Sequence, residues 1–184
     1  EALDGLTGQV EVPVFVLAQA SFDRVYDLSA PWSSQTLYAN DNVSIEGGAV
    51  VNLDLDQSIE DLTVAQGALH MDHAYTLALG GAFEVQSGGE VKLNAGVLGA
   101  HGVEMKVDGV VTIEGGALTR DMSGISRTIS GGGLIDVRSG TMAFTGGVPT
   151  NILSLKTDMR VSGGSVELSG QLYIGDGTQT VFEV

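Results

Sequence analysis

Val43-Ser-Ile-Glu-Gly-Gly-Ala-Val-Val-Asn-Leu53 decides the fold. Two apolar residues stand at alternate positions, a glycine corner follows, and two more apolar residues alternate after it. The same figure returns in Leu62-Thr-Val-Ala-Gln-Gly-Ala-Leu-His-Met71, in Phe83-Glu-Val-Gln-Ser-Gly-Gly-Glu-Val-Lys-Leu93 and in Met105-Lys-Val-Asp-Gly-Val-Val-Thr-Ile113. The corner residues Gly47, Gly67, Gly88 and Gly109 are separated by 20, 21 and 21 positions. A fixed period of this length marks a stacked repeat, in which each unit buries its apolar side against its neighbours.

Polar residues fill the positions between the apolar ones (Ser44, Thr63, Glu84, Lys106), so each segment reads as a strand with one buried and one wet face. Two architectures satisfy that pattern. In a parallel β-helix, or β-solenoid, of about 20–22 residues per turn, equivalent strands stack about 4.8 Å apart and the apolar pairs form internal columns. In an antiparallel sandwich or meander, Gly47-Gly48 and Gly88-Gly89 are hairpin turns. The inward pairs are separated by five, four, five and three residues in successive repeats. A hairpin tolerates such variation poorly, because a slip of one residue turns the apolar set outward, whereas a solenoid corner absorbs it. The sequence therefore favours an all-β, single-stranded parallel β-helix.

Outside the ladder the chain divides simply. Residues 1–40 hold five of its aromatics and read as an N-terminal cap or edge segment, with Val10, Val12, Val14 and Val16 alternating as a strand. Residues 41–184 read as the repeat domain, with polar excursions expected at 117–130 and 146–158. The first residue is Glu1 and the last segment reads as a strand without a polar cap, as in a mature form or a fragment whose end continues or meets a partner.

Composition narrows function by exclusion. The 184 residues contain no cysteine, which removes disulfides and thiolate chemistry, and no apolar run long enough to insert in a membrane. The formal charge is −15, and residues 1–91 carry 14 acids against the single base Arg24. Such a surface repels nucleic acid and anionic lipid, since both are bound through Lys and Arg.

Candidate chemistry is sparse. For a metal, His70 and Asp72 share an outward face that stacking could bring beside Asp54 and Asp56, while His73 has the opposite parity. Asn40-Asp41-Asn42 and Asp54 with Asp56 offer oxygen ligands for Ca²⁺, the one cofactor the sequence suggests. For binding, Arg120, Asp121 and Arg127 cluster in the first excursion, and Trp32 with Tyr38 could form an aromatic sugar platform. A turn of barely 20 residues leaves little chain to build a catalytic groove, and no nucleophile-elbow pattern surrounds a serine. No catalytic residue is assigned.

Ile129-Ser-Gly-Gly-Gly-Leu-Ile-Asp-Val-Arg-Ser-Gly-Thr-Met-Ala-Phe-Thr-Gly-Gly147 resembles the glycine-punctuated repeats of autotransporter passengers and related bacterial β-helix adhesins. The stretch from Asp41 to Asp54, with Ile59 to Leu69, resembles the opening of G8-type extracellular domains. The resemblance implies an exported protein, extracellular or cell-surface, or a virion fibre. The expected role is a non-enzymatic structural or adhesive module. Its expected partners are the rest of a larger chain, a trimer or end-to-end filament of copies, and glycans. The alternative is a carbohydrate-binding or polysaccharide-acting β-helix of the phage tail-fibre or lyase kind.

Overall fold

The computed structural model describes residues 22–102, 104–123, 127–175 and 177–182. The chain winds as a three-sided solenoid of parallel strands. The first face stacks eight: Asp23–Tyr26, Asn42–Ile45, Asp61–Val64, Phe83–Val85, Glu104–Val107, Arg127–Ser130, Ile152–Leu155 and Gln171–Ile174. The second also stacks eight: Ala30–Pro31, Val50–Asn52, Ala68–Met71, Glu90–Leu93, Val110–Ile113, Leu134–Val137, Asp158–Val161 and Thr180–Phe182. The third stacks six: Gln57–Ile59, Thr76–Leu79, Val97–Ala100, Ala117–Asp121, Thr141–Thr145 and Ser165–Leu168. Every strand pairing among the described residues is parallel, so Gly47-Gly48 and Gly88-Gly89 are corners between faces and not hairpin turns. Eight strands at about 4.8 Å make a rod roughly 34 Å long.

The internal columns follow from the alternation. Val43, Leu62, Phe83, Met105, Ile129 and Leu155 lie in one register line, each at most 2% exposed. Val51, Leu69, Val91, Val111 and Ile135 form the matching line on the second face, all fully buried. The third face adds Ile59, Leu79, Ala100, Arg120 and Phe144. Stacking like on like lets every turn bury apolar area against the turns on either side, which a 20-residue unit cannot do alone.

The corner between the first and second faces demands glycine. At Gly67, Gly89, Gly109 and Gly133 a Cβ would lie 2.6, 2.2, 2.3 and 2.1 Å from a main-chain carbonyl oxygen of the preceding turn. The turns approach there too closely for any side chain. Thr157 ends the column, its hydroxyl donating to the Gly133 carbonyl at 3.1 Å.

Pairing begins earlier, and the excursions are shorter, than the sequence suggests. Asp23–Tyr26 already pairs in register with Asn42–Ile45, and Ala30–Pro31 with Val51 and Asn52. The described part of the 1–40 segment is thus the first turn of the solenoid. Val10, Val12, Val14 and Val16 lie outside the described residues. Within 117–130, residues Ala117–Asp121 and Arg127–Ser130 are ladder strands, and within 146–158 so are Ile152–Leu155 and the first residue of Asp158–Val161. Of the excursions proper, the described residues are Met122 and Ser123 in the first and 146–151 in the second. The longer repeats are absorbed at this corner: Arg127 pairs with Leu153, 26 positions on, whereas Asn42 pairs with Asp61, 19 positions on.

Candidate functional site

Trp32 lies in a one-turn 3₁₀ helix, Trp32–Ser34, and is 1% exposed. It stacks on Tyr26 at 5.6 Å between ring centroids, and the Tyr26 hydroxyl donates to the Trp32 carbonyl. Burial pushes that hydroxyl's pKa up to about 12. The indole closes the core of the first turn and presents no face to a sugar; of the proposed platform only Tyr38, 40% exposed, is open.

The carboxylates considered for metal binding are engaged elsewhere. Asp54 reaches back one turn and accepts the Ser33 N–H at 2.9 Å and the Ser33 hydroxyl at 2.5 Å, which lowers its pKa. Asp72 reaches forward one turn to the Asn94 amide at 2.7 Å, and Asp56 forward to the Thr76 N–H at 2.7 Å. His70 stands in register between Asn52 and Lys92, so the residue stacked beneath it is an amide and not Asp54. Asp41 is fully buried and accepts the Phe22 N–H at 3.1 Å, the Tyr38 N–H at 3.0 Å and Arg24 Nε at 3.4 Å. Among the described residues no three of His, Cys, Asp and Glu converge as metal ligands.

The same use of carboxylates recurs along the rod. Asp61 accepts the Ala82 N–H at 2.6 Å, Asp108 the Gly132 N–H at 2.9 Å and Asp158 the Gln179 N–H at 2.8 Å. Each bond crosses from one turn to the next at a corner, where the ladder has ended and a main-chain donor needs a partner. Part of the acid surplus is therefore structural. Sequence reasoning had no signal for this, because the partners are main-chain groups about 20 positions away.

The structure brings Arg120, Asp121 and Arg127 close to one another but turns them to opposite sides of the wall. Asp121 turns outward and accepts the Ser123 N–H at 2.8 Å; hydrogen bonding to Ser123 keeps its carboxyl below the usual range. Arg120 and Arg127 point inward, 1% and 8% exposed. Arg127 Nε donates to the Asp121 carbonyl at 3.1 Å and Nη2 to the His101 carbonyl at 3.3 Å. Neither guanidinium is offered to a ligand at the surface.

Two features were missed in the sequence. Asp136, 1% exposed on the outer side of the second face, is gripped by Arg160 and by Arg138 Nε at 2.8 Å, and Arg138 also reaches Glu114. The bond from Arg160, with burial opposing it, holds the Asp136 carboxyl below its ordinary value. A shallow groove of about 540 Å³ runs along the glycine corner, lined by Gly88, Glu90, Asp108, Val110, Gly132 and Asp158. It exists because the glycine column leaves that edge without side chains. The glycine immediately before four successive second-face strands, Gly67, Gly89, Gly109 and Gly133, was its sequence signal.

No family model, no curated protein and no solved structure matches the chain.

Proposed function

We propose that the chain is a non-enzymatic structural or adhesive module, a β-solenoid segment of an exported surface or fibre protein that works through its length, its faces and its end. The observation that carries this reading is the continuity of the stack. The internal columns run through to Leu172 and Ile174, in register on Leu153 and Leu155. Those lower residues are 1% and 0% exposed, while Leu172 and Ile174 are 43% and 42% exposed. Leu172 and Ile174 thus present apolar side chains of the kind that end-to-end stacking of copies would cover. The carboxylates fit the same reading, since they brace turns against one another. The test is electron microscopy of the purified protein with its mass from light scattering. Rods, trimers or filaments support the module; a compact monomer inert in assembly, with saccharide turnover, refutes it.

The corner groove favours a second reading, a carbohydrate-binding β-helix. Its extended floor, its carboxylate acceptors and the exposed Val110 offer hydroxyl and C–H contacts to a glycan chain. A glycan array on the native protein and on Val110→Arg tests it: retained binding in the variant removes the groove from consideration.

A further inference from the structure

The groove along the glycine corner is built on one register line. Glu90, Val110, Leu134 and Asp158 follow one another on successive strands of the second face, so an acid stands at each end and two aliphatic side chains lie between. The line spans three strand spacings, about 14 Å. Val110 is exposed and Leu134 half-buried, and Asp108 also lines the groove. Among the described residues that line it, three are acids and none is Lys or Arg.

These carboxylates are already bonded, and a ligand does not need them free. Glu90 meets Lys92 at 3.1 Å, Asp108 meets Lys106 at 2.9 Å and accepts the Gly132 N–H, and Asp158 accepts the Gln179 N–H. An ionised carboxylate offers about four acceptor sites, so each keeps capacity for a further donor. Both ion pairs are part-exposed, and pairs of that kind hold weakly enough to be shared or exchanged with a second cation.

We propose that the groove takes a linear glycan bearing free amino groups, a chain of amino sugars bound as a polycation. This rests on the reading of the groove as a carbohydrate site and names the class of sugar. Charge selects it. The chain carries −15 and three acids line the groove, so a uronate-bearing glycan is repelled and a neutral one gains no ion pair. Shape agrees, because an extended β-1,4-linked chain advances per sugar by close to one strand spacing, about 4.8 Å, and successive sugars meet successive turns. Their C–H faces cover Val110 and Leu134 while their ammonium groups meet the carboxylates.

Titration calorimetry with glucosamine oligomers, N-acetylated oligomers of equal length and oligouronates tests the class, at about pH 5.5 so that carboxylates and sugar amines are both charged. The free-amine oligomer should bind at least about tenfold tighter than the acetylated one, by a margin that shrinks as salt rises. Its affinity should fall in Asp108→Asn/Asp158→Asn and in Val110→Arg and rise in Val110→Glu. It should hold in Glu60→Gln/Glu167→Gln, which neutralises two exposed acids elsewhere on the rod. If the paired Asp variant fails to fold, the two Val110 changes decide, since that side chain is 37% exposed. Equal affinity for free-amine and acetylated oligomers, or a preference for the uronate, overturns the amine inference and leaves the glycan reading standing. Binding of none of the three overturns both. Amine binding that survives Val110→Arg, or that Glu60→Gln/Glu167→Gln weakens as much, is unspecific attraction to an acidic rod and overturns the site.

Discussion

Asp54 and Asp72 show how much a carboxylate's direction decides. Asp54 bonds Ser33 one turn below and Asp72 bonds Asn94 one turn above, so neighbours in the stack serve opposite interfaces. In Asp54→Asn/Asp56→Asn one acceptor oxygen at position 54 and the charge assistance at both positions are lost, which should cost about 1 kcal/mol each. The melting temperature should then fall by several degrees, by the same amount with Ca²⁺ and with EDTA. A rise with Ca²⁺ in the native protein that disappears in the variant would restore the metal reading. Asp136 makes the complementary case for pH. Its folded-state pKa lies below the unfolded value, so the stability it adds is fully present above the ordinary carboxylate range. That stability is lost as pH falls through the depressed folded value. Because Arg138 and Arg160 are themselves half exposed, Asp136→Asn should cost only about 1–2 kcal/mol at pH 7. The difference between native and variant urea midpoints should shrink steadily below about pH 4. A gap that stays constant to pH 2 would mean the carboxylate's charge contributes nothing.

At the scale of the strand and the corner, the glycines separate into those that fold the chain and those that merely occupy it. Gly109→Ala would drive a methyl to 2.3 Å from the Gly89 carbonyl oxygen and 2.5 Å from that of Gln86, whereas a Cβ at Gly132 meets nothing within 4 Å. The first change should destabilise by about 2–4 kcal/mol, since only main-chain movement relieves it; the second should be neutral or slightly stabilising. Chemical denaturation of the pair checks this, and equal losses would contradict the close approach of the turns. The same contrast explains what could be read from the sequence. The first two faces were legible because polar outward residues such as Ser44, Thr63 and Lys92 alternate with aliphatic inward ones. Over Thr76–Leu79 and Val97–Ala100 the third face was not, because its outward positions Ala78 and Gly99 are small and apolar, which erases the alternation. Arg120 hid a strand for the converse reason: a charge at an inward position reads as loop. The candidate metal carboxylates Asp54, Asp56 and Asp72 were misread because their bonding partners Ser33, Thr76 and Asn94 lie in other turns, invisible to any local pattern.

Across the whole molecule the first and last described turns differ in burial. In the first described turn Trp32 and Tyr26 stack on each other in the core and are 1% and 2% exposed. At the last described turn, Leu172 and Ile174, which continue the inward columns, are 43% and 42% exposed, and among the described residues no strand pairs beyond Gln171–Ile174 or Thr180–Phe182. An apolar column ending beside free strand edges is the geometry for adding a parallel strand, since backbone bonds set the register and the next aliphatic pair fills the column. Lateral association uses neither feature. Leu172→Lys/Ile174→Lys places two charges where an added turn would bury them, with little expected change in the turns below. Association read by light scattering should therefore fall at least tenfold while the cooperative melt of the chain is kept. If the double variant assembles as the native protein does, the contact lies on a lateral face and the end-to-end arrangement is wrong.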